Sequence, residues 1–418
     1  MTMADDHFIR QSFVLISATL LASVINYLFQ FSMGRLLGPA DYGALAALFS
    51  IIYIAVAPVQ AVQLTLTKFV AEFKSAAQPA FVKELLVSAL KKLFIASAGL
   101  FAAVIVASAW LADFLNMPSK RIIFYFSFIF LAMFVLAAAR GVLQGMQKFK
   151  ALGINIVLES AIKLSLCVGF VLAGFGLAGA IFGTNISVFV AFALMMFVLL
   201  RMLAGTKGQK LDEKQKTSIY LYSLPMLVAL SSITALYSAD VLLVKHFFAP
   251  AEAGIYAAAA LVAKLIFFAL MPISQVMFPK VAELEAKKQS HFEVFIKSVV
   301  LVACLSAIAV AVYFIRPDFV LNLLFGREYA GAIPLIGMFG LAIAVLSISY
   351  VFINYFLSAG KSGFVFVLPV FVFAEALLIW QWHRTLQQVI IAITGTMAGL
   401  LLALILIYFY YAIRNRSP

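Results

Sequence analysis

Long apolar runs alternate with short polar connections along the whole chain. A run of about 20 apolar residues has the length of an α-helix that crosses the hydrocarbon core of a bilayer. Backbone groups in lipid must find hydrogen-bond partners within their own segment, and the sequence lacks the alternating segments of roughly ten residues that build a transmembrane barrel. The pattern therefore predicts an all-α polytopic membrane protein. We count twelve transmembrane helices, near residues 12–33, 44–67, 86–111, 122–146, 151–173, 177–200, 218–247, 253–278, 293–315, 331–358, 363–382 and 388–411.

One stretch of the first half, residues 34–73, recurs in the second half. It begins with a polar corner, crosses an apolar run and ends in a charged exit, and its matching residues return 211 positions later. The matches are Pro39 with Pro250, Asp41 with Glu252, Gly43 with Gly254, Ala46 with Ala257, and Val70-Ala71-Glu72 with Val281-Ala282-Glu283. The same separation at both ends of a membrane-length segment indicates an internal duplication, which is common in transporters.

The duplication predicts two parallel six-helix repeats that form two lobes around a central cavity, because an even number of helices per repeat keeps both repeats in the same orientation. A basic linker, 206–217, separates the halves. We expect an N-terminal lobe at 1–205 and a C-terminal lobe at 218–418. No connection is long enough for a folded soluble domain.

The placement of Lys and Arg predicts the orientation. If the twelve runs alternate in direction, twenty basic residues fall on the side that carries both termini and seven on the other, Lys245 among them. Cytoplasmic loops carry the excess of basic residues, so we expect a multi-pass protein of the inner (cytoplasmic) membrane with both termini cytoplasmic. The run 12–33 is too long for a signal-peptide core, and we expect it to be retained as the first span.

Composition agrees with the membrane assignment. The chain is 65% hydrophobic and only 11% charged, whereas soluble domains carry about 25% charged residues. The net charge of +13 would suggest nucleic-acid binding in a soluble protein. Here the bases lie in short loops, so we expect contacts with membrane lipids and none with nucleic acid.

Six ionisable residues fall inside the apolar runs: Arg140, Glu159, Lys163, Asp240, Lys264 and Glu375. Each costs roughly 2.5–3.5 kcal/mol at the bilayer centre on insertion scales, so each should face a partner or a wet cavity.

The depth of each residue in its hairpin predicts the partners. Arg140 and Glu159 lie equally far from the turn that joins spans four and five, and Lys163 follows one helical turn after Glu159 on the same face. We therefore expect one cluster of these three residues and a pair between Asp240 and Lys264.

Two interpretations of these charges remain open. In the first, Lys264, Arg140 and Lys163 bind an anionic head group, and Asp240, Glu159 and Glu375 are ion-coupling groups or charge partners. In the second, the charges are structural ion pairs between helices. Glu375 has no obvious basic partner in the sequence, and three bases against three acids give the core no net positive charge.

Other features refine the picture. Pro58 and Pro272 lie inside spans two and eight and predict hinges where these helices bend. GxxxG spacings, such as Gly141/Gly145 and Gly395/Gly399, predict close helix packing. The sequence shows no catalytic constellation, nucleotide-binding loop or metal-ligand spacing. We therefore expect neither an enzyme nor a cofactor or metal.

Several segments resemble the O-antigen-type oligosaccharide flippases of the multidrug/oligosaccharidyl-lipid/polysaccharide exporter superfamily. They occur in order over nearly the whole chain: 35–43 (RLLGPADYG), 66–72 (LTKFVAE), 140–145 (RGVLQG), 148–149 (KF), 240–245 (DVLLVK), 253–256 (AGIY) and 278–280 (FPK).

This resemblance implies a V-shaped pair of six-helix lobes and a substrate of undecaprenyl-pyrophosphate-linked oligosaccharide. The substrate would be moved from the cytoplasmic to the outer leaflet by alternating access, for O-antigen and lipopolysaccharide biosynthesis. Carried onto this chain, Lys264, Arg140 and Arg35 become head-group residues and Asp240 an ion-coupling residue. Coupling to a proton or sodium gradient and association with glycan polymerase machinery are further expectations.

Two alternatives compete with this interpretation. An ion-coupled drug or cation antiporter of the same superfamily would use an acidic cavity, which Asp240, Glu159 and Glu375 could supply. A membrane glycan polymerase or ligase would need a sizeable outer loop with catalytic groups, and the outer loops here are short, with 112–121 and 316–330 the longest.

Overall fold

The computed structural model describes the backbone of residues 3–76, 78–202, 204, 209 and 212–414, and their side chains except those of 3–12, 79, 214, 216, 412 and 414. Much of the basic linker 206–217, together with Arg416 and the side chains of Arg10 and Arg414, lies outside the described residues. The structure is 91% helical, and the described residues contain no strand.

Fifteen α-helices follow one another along the described chain. They are α1 (Met3–Ser75), α2 (Pro79–Val106), α3 (Ser108–Phe114), α4 (Lys120–Ser127), α5 (Ile129–Gly145), α6 (Phe149–Phe170), α7 (Gly176–Met202), α8 (Glu213–Leu236), α9 (Ala239–Phe247), α10 (Pro250–Ala286), α11 (Phe292–Ile315), α12 (Pro317–Leu324), α13 (Ile333–Ser358), α14 (Leu368–Gln381) and α15 (Leu386–Arg414). A π-helical turn, Val171–Phe175, joins α6 to α7, and 3₁₀ turns at Arg327–Ala332 and Ser362–Val367 precede α13 and α14.

Ten helical segments of the described chain are long and apolar enough to cross a membrane, and two of them are double. The first, Phe13–Ser75, has 63 residues and contains a non-helical glycine, Gly38, with φ 72° and ψ 172°. The second, Phe149–Met202, has 54 residues and contains Gly174 and Gly176, both with positive φ. Each double segment therefore supplies two spans. This confirms the all-α polytopic prediction with twelve spans.

The helix ends repeat the separation found in the sequence. The second part of α1 starts after Gly38, at Pro39, and ends at Ser75, and adding 211 to these positions gives Pro250 and Ala286, the ends of α10. The two copies differ at the residue before the proline. Gly38 has positive φ, whereas the corresponding Ala249 has φ −59° and ψ 149°.

Packing groups the chain into two compact units, unit 1 (Met1–Leu230) and unit 2 (Ser231–Pro418), so the boundary falls inside α8. In unit 1, α5 packs on α1, α2 and α7, while α6 packs on α1 and α7. In unit 2, α13 packs on α10, α11 and α15, and α14 packs on α9 and α15.

Glycines allow α5 to approach α1 closely. A Cβ atom added at Gly141 would lie 2.7 Å from the Gln63 carbonyl oxygen, and one at Gly145 would lie 2.6 Å from the Thr67 carbonyl oxygen. The Thr67 hydroxyl donates a hydrogen bond to the Gly141 carbonyl oxygen at 3.1 Å, which ties the two backbones together. The predicted close helix packing is therefore confirmed for the Gly141/Gly145 spacing, which lies against α1. The prediction is wrong for Gly395, where an added Cβ would have nothing within 4 Å.

The backbone stays helical through Pro58 and Pro272. Proline removes a backbone donor and crowds the preceding turn, so both positions lack one helical hydrogen bond. Bending at these two residues remains a prediction.

Candidate functional site

Arg140, Asn155 and Glu159 form a polar cluster between α5 and α6. The Arg140 side chain donates to Asn155 Oδ1 from Nε at 3.0 Å and from Nη2 at 2.7 Å, and Nη2 also forms an ion pair with Glu159 Oε2. The Asn155 amide donates in turn to the Ala191 carbonyl oxygen on α7 at 2.8 Å. The predicted pairing of Arg140 with Glu159 is therefore present, and this cluster carries no net charge.

Lys163 forms no hydrogen bond or ion pair with this cluster, although Glu159 acts on it electrostatically, so only the first two members of the predicted three-residue cluster are bonded to each other. The Lys163 ammonium donates instead to Asn26 Oδ1 on α1 and lies 4.9 Å from the centre of the Phe29 ring and 5.8 Å from that of Phe49. The Asn26 amide donates to Ser160 Oγ at 3.0 Å, so Asn26 links α1 to α6 at two residues, Ser160 and Lys163. The physical reason is that the Glu159 carboxylate is already paired with Arg140. An amide oxygen and the faces of two aromatic rings are the partners of the Lys163 ammonium instead.

No carboxylate of the described residues forms an ion pair with Lys163. The Lys163 ammonium therefore contacts an amide oxygen and aromatic rings, while Glu159, one helical turn earlier, acts on it electrostatically without forming an ion pair.

Asp240, Tyr256 and Lys264 meet inside unit 2. The Tyr256 hydroxyl donates to Asp240 Oδ2 at 2.8 Å, and the Lys264 ammonium lies 3.7 Å from Asp240 Oδ1. Asp240 Oδ1 has no hydrogen-bond partner among the described residues. The predicted Asp240–Lys264 ion pair is therefore present, but its two atoms are too far apart for a hydrogen bond. The Lys264 side chain is one tenth exposed, against 2% for Asp240, so Lys264 is the more accessible member of the pair.

Glu375 on α14 is buried to 2% exposure near this pair. Neither of its carboxylate oxygens has a hydrogen-bond partner among the described residues. Asp240 and Lys264 are close enough to act on it electrostatically, although neither bonds to it. The three residues together carry one negative charge when all are ionised.

Two further predicted positions have different surroundings. Arg35 lies in α1 with an exposed side chain. Lys245, which the sequence places on the outer side at the end of the predicted span 218–247, lies in the last turn of α9 and is buried to 1% exposure. The short helix α9 continues past Asp240 for almost two turns and carries Lys245 into the protein.

Sequence reasoning missed Asn155 and Tyr256 as members of the charged clusters. Both had a signal in the helical spacing. Asn155 lies one turn before Glu159, and Tyr256 lies two turns before Lys264, so each shares a helix face with a charged residue. The described residues contain no group of three or more His, Cys, Asp or Glu side chains that could hold a metal ion.

Comparison with known proteins places the chain in a family. A family model described as polysaccharide biosynthesis protein matches residues 8–285, about two thirds of the chain. The chain therefore belongs to the polysaccharide biosynthesis protein family, which confirms the resemblance seen in the motifs. No curated protein matches the sequence.

Solved structures show which fold the chain adopts. It is similar to the inward-facing form of a multidrug resistance MATE family transporter of the MOP superfamily, with TM-score 0.80, 14% identity, and coverage of 97% of this chain and 99% of that one. For the outward-facing form of such a transporter, the TM-score is 0.69 and the identity 13%, with coverage of 98% of this chain and 96% of that one. A third structure is a MOP superfamily transporter from Pyrococcus furiosus, described as having a binding pocket of reversed polarity. Its TM-score is 0.68 and its identity 16%, with coverage of 97% of this chain and 95% of that one. The family model thus gives the family of the chain, and the solved structures show that it has the fold of these transporters.

Proposed function

We propose that this protein flips undecaprenyl-pyrophosphate-linked oligosaccharide from the cytoplasmic to the outer leaflet of the inner membrane. The product would serve surface polysaccharide biosynthesis, such as that of the O-antigen of lipopolysaccharide. The observation that carries the proposal is the match of residues 8–285 to polysaccharide biosynthesis proteins on the fold of a membrane transporter. A transporter needs no chemical step in this task, since the glycan is already joined to its lipid carrier.

The head group would be held by lysines that lack a close ionic partner. Lys163 bonds only to an amide oxygen and faces two aromatic rings, and Lys264 lies 3.7 Å from its nearest carboxylate oxygen. A pyrophosphate brings the missing negative charge, and hydrogen bonds between ionised partners are about twice as strong as neutral ones. Each unit thus contains a lysine that would recognise the phosphates, the part of the proposed substrate that does not depend on its sugars.

Arg140 has a different role in this proposal. Its Nε and Nη2 atoms are already bonded to Asn155 and Glu159, so we assign it chiefly to holding α5 against α6. Arg35, which is exposed in α1, would meet the head group at the outer end of the pathway.

The rest of the transport cycle follows from the duplicated architecture. Lobes at 1–205 and 218–418, joined by the basic linker 206–217 on the cytoplasmic side, would alternate access to the substrate, with both termini cytoplasmic. Pro58 and Pro272 would absorb the bending of their helices, because each already lacks one helical hydrogen bond. Association with a glycan polymerase would pass on the flipped product.

A deletion with complementation tests the proposal in the native host. We expect the deletion to remove surface glycan and to leave lipid-linked oligosaccharide on the cytoplasmic side of the membrane. The wild-type gene and the Lys297→Met control should restore export, since Lys297 is an exposed residue paired with Glu293. Lys264→Met should not restore it, although the protein reaches the membrane. Unchanged surface glycan after deletion, in a host without a second transporter, contradicts the proposal.

The fold similarity to multidrug resistance transporters keeps one alternative, an ion-coupled drug or cation antiporter. That function predicts a change in resistance to cationic drugs on overexpression and no accumulation of lipid-linked oligosaccharide on deletion. The two functions therefore give opposite results in the same strains.

A further inference from the structure

The Glu375 carboxyl group is the polar group of unit 2 that head-group binding leaves unexplained. It lies in the middle of α14 with 2% exposure, and neither oxygen has a hydrogen-bond partner among the described residues. An ionised carboxylate without partners costs several kcal/mol inside a membrane protein. A group in this position therefore needs a positive charge or a bound proton.

The surrounding helices supply too little positive charge. From α9, Asp240 acts on Glu375, while Lys245 and His246 lie in the last turn of that helix, roughly 7.5 Å or more further along its axis. From α10, Lys264 and the Tyr256 hydroxyl act on it.

The other neighbour, α15, has no Asp, Glu, Lys or His and no Arg before Arg414. The 3₁₀ turn Ser362–Val367, which also packs on α14, carries no ionisable side chain. One lysine thus faces two carboxylates, and Asp240 is the nearer of the two to its ammonium.

A proton suits this site better than a sodium ion. Discontinuous helices of transporters often supply backbone carbonyls to a coupling cation. The backbone around Glu375 belongs to the regular helix α14, whose carbonyls are engaged in helical hydrogen bonds. Asp240 and Glu375 are also too few acidic groups to count as a metal-holding cluster among the described residues.

We propose that Glu375 is the proton-binding site of unit 2, protonated at neutral pH while Asp240 and Lys264 stay paired, and that it exchanges this proton during transport. A hydronium ion from one side of the membrane donates the proton to one carboxylate oxygen and becomes water, and a water molecule on the other side accepts it and becomes hydronium. Lys264, whose side chain is one tenth exposed, is the most accessible residue of the cluster. The exchange step deepens the proposed flippase function and rests on it, whereas the proton binding does not.

Infrared difference spectroscopy of the purified protein tests the binding step without any lipid-linked substrate. At neutral pH the wild type should show the carbonyl band of a protonated carboxylic acid, and raising the pH should remove it. The band should be missing in Glu375→Gln and present in the control Glu293→Gln, whose carboxylate is exposed. In Glu375→Asp the band should persist at a shifted frequency, which covers the case that Glu375→Gln does not fold.

Two results of this experiment overturn the proposal. One is a band that persists unchanged in both Glu375 variants. The other is a band that sodium chloride removes at constant pH, which would make the cluster a sodium site.

Proteoliposomes with an imposed pH difference test the exchange step. For one proton per cycle, the transmembrane ratio of a labelled polyprenyl-pyrophosphate-linked oligosaccharide at equilibrium should change by about tenfold per pH unit. Glu375→Gln should abolish this dependence and Glu293→Gln should retain it. A Glu375→Gln protein that still responds to the pH difference overturns the exchange step. Absence of any transport by the wild type would instead count against the flippase function and would leave the infrared result standing.

Discussion

At the scale of single residues, the charges inside the spans differ in how completely they are compensated. Arg140 is bonded to both an amide and a carboxylate, so its charge is neutralised on the spot. Lys163 and Glu375 have no oppositely charged group within ion-pair distance among the described residues. Arg140 is therefore compensated within the protein, whereas the proposals above assign a head group to Lys163 and a proton to Glu375.

Arg140 and Glu159 should stabilise the fold only when both side chains are present. Removing one partner of a buried ion pair typically costs about 3–5 kcal/mol, because the other charge is left uncompensated. We expect Arg140→Met and Glu159→Gln each to lower the thermal unfolding midpoint strongly, and the double variant to lower it by less than the two effects combined. Thermal unfolding of the purified protein in detergent measures this. Additive effects would mean that the two side chains do not depend on each other.

The Tyr256 hydroxyl should contribute more than an ordinary hydrogen bond, because it donates to the Asp240 carboxylate. Hydrogen bonds to charged groups contribute about 1.5–3 kcal/mol, against about 0.5–1.5 kcal/mol for neutral ones. Tyr313 is the matched control, since its buried hydroxyl donates to the Val262 carbonyl oxygen at the same distance, 2.8 Å. We expect Tyr256→Phe to lower the unfolding midpoint more than Tyr313→Phe does. The reverse order would show that the Asp240 contact is not stabilising.

The sequence predicted contacts between residues of one hairpin but not between distant helices. Equal depth on either side of a short turn predicted the Arg140–Glu159 pair, and the same logic predicted the Asp240–Lys264 pair. The contact of Lys163 with Asn26 spans 137 positions and depends on how α1 packs on α6. Nothing in the local pattern of either segment encodes that packing.

At the scale of elements, one glycine divides the longest helix into two spans. Gly38 has φ 72° and ψ 172°, a combination that is essentially restricted to glycine. The equivalent residue of the second half, Ala249, instead ends the connection between α9 and α10 with negative φ. The duplicated segments therefore share helix ends but enter their helices by different turns.

Gly38→Ala should be destabilising for this reason. A side chain forced into such a backbone conformation costs about 1–3 kcal/mol. We expect a lower unfolding midpoint and lower yield in the membrane, while Ala249→Gly should change the midpoint little. Fluorescence-detected size-exclusion chromatography after heating measures both variants. A Gly38→Ala protein as stable as the wild type would show that the chain can enter this helix with negative φ, as it does at Ala249.

Gly141 and Gly395 give opposite predictions for the same change. A methyl group at Gly141 meets the Gln63 backbone at 2.7 Å, and overpacking of this kind costs typically about 1–3 kcal/mol. At Gly395 there is nothing within 4 Å, and alanine is favoured over glycine in helices by up to about 1 kcal/mol. We expect Gly141→Ala to lower the thermal unfolding midpoint and Gly395→Ala to leave it unchanged or raise it. Equal effects at both sites would contradict the close approach of α5 to α1.

Apolar length predicted the spans well, because length and hydropathy alone decide whether a helix can cross a bilayer. The short helices α3, α9 and α12 were not predicted as separate elements. A helix of seven to nine residues carries too few turns for a distinct periodic pattern. For the same reason, the pattern of the predicted span 218–247 did not show that it is divided between α8 and α9.

At the scale of the whole molecule, the chain consists of two units whose boundary lies inside α8, five residues after Pro225. The sequence predicted the duplication and the twelve spans, which follow from pattern and spacing. The pattern could not predict where packing divides the chain, because that depends on contacts between helices and not on the polarity of a linker. The family match covers residues 8–285 and so includes nearly all of unit 1 and the Asp240–Lys264 pair.

The central claim is that Lys163 and Lys264 bind the phosphates of a lipid carrier while it crosses the membrane. Its most direct test is the rate at which labelled polyprenyl-pyrophosphate-linked oligosaccharide moves between the leaflets of liposomes that contain the purified protein. Each lost hydrogen bond to a charged group removes about 1.5–3 kcal/mol, which is about tenfold or more in rate. We predict rapid movement by the wild type and by Lys297→Met, and a loss of at least about tenfold in the Lys163→Met/Lys264→Met double variant. A double variant as fast as the wild type, or a wild type no faster than protein-free liposomes under both proton and sodium gradients, would contradict the claim.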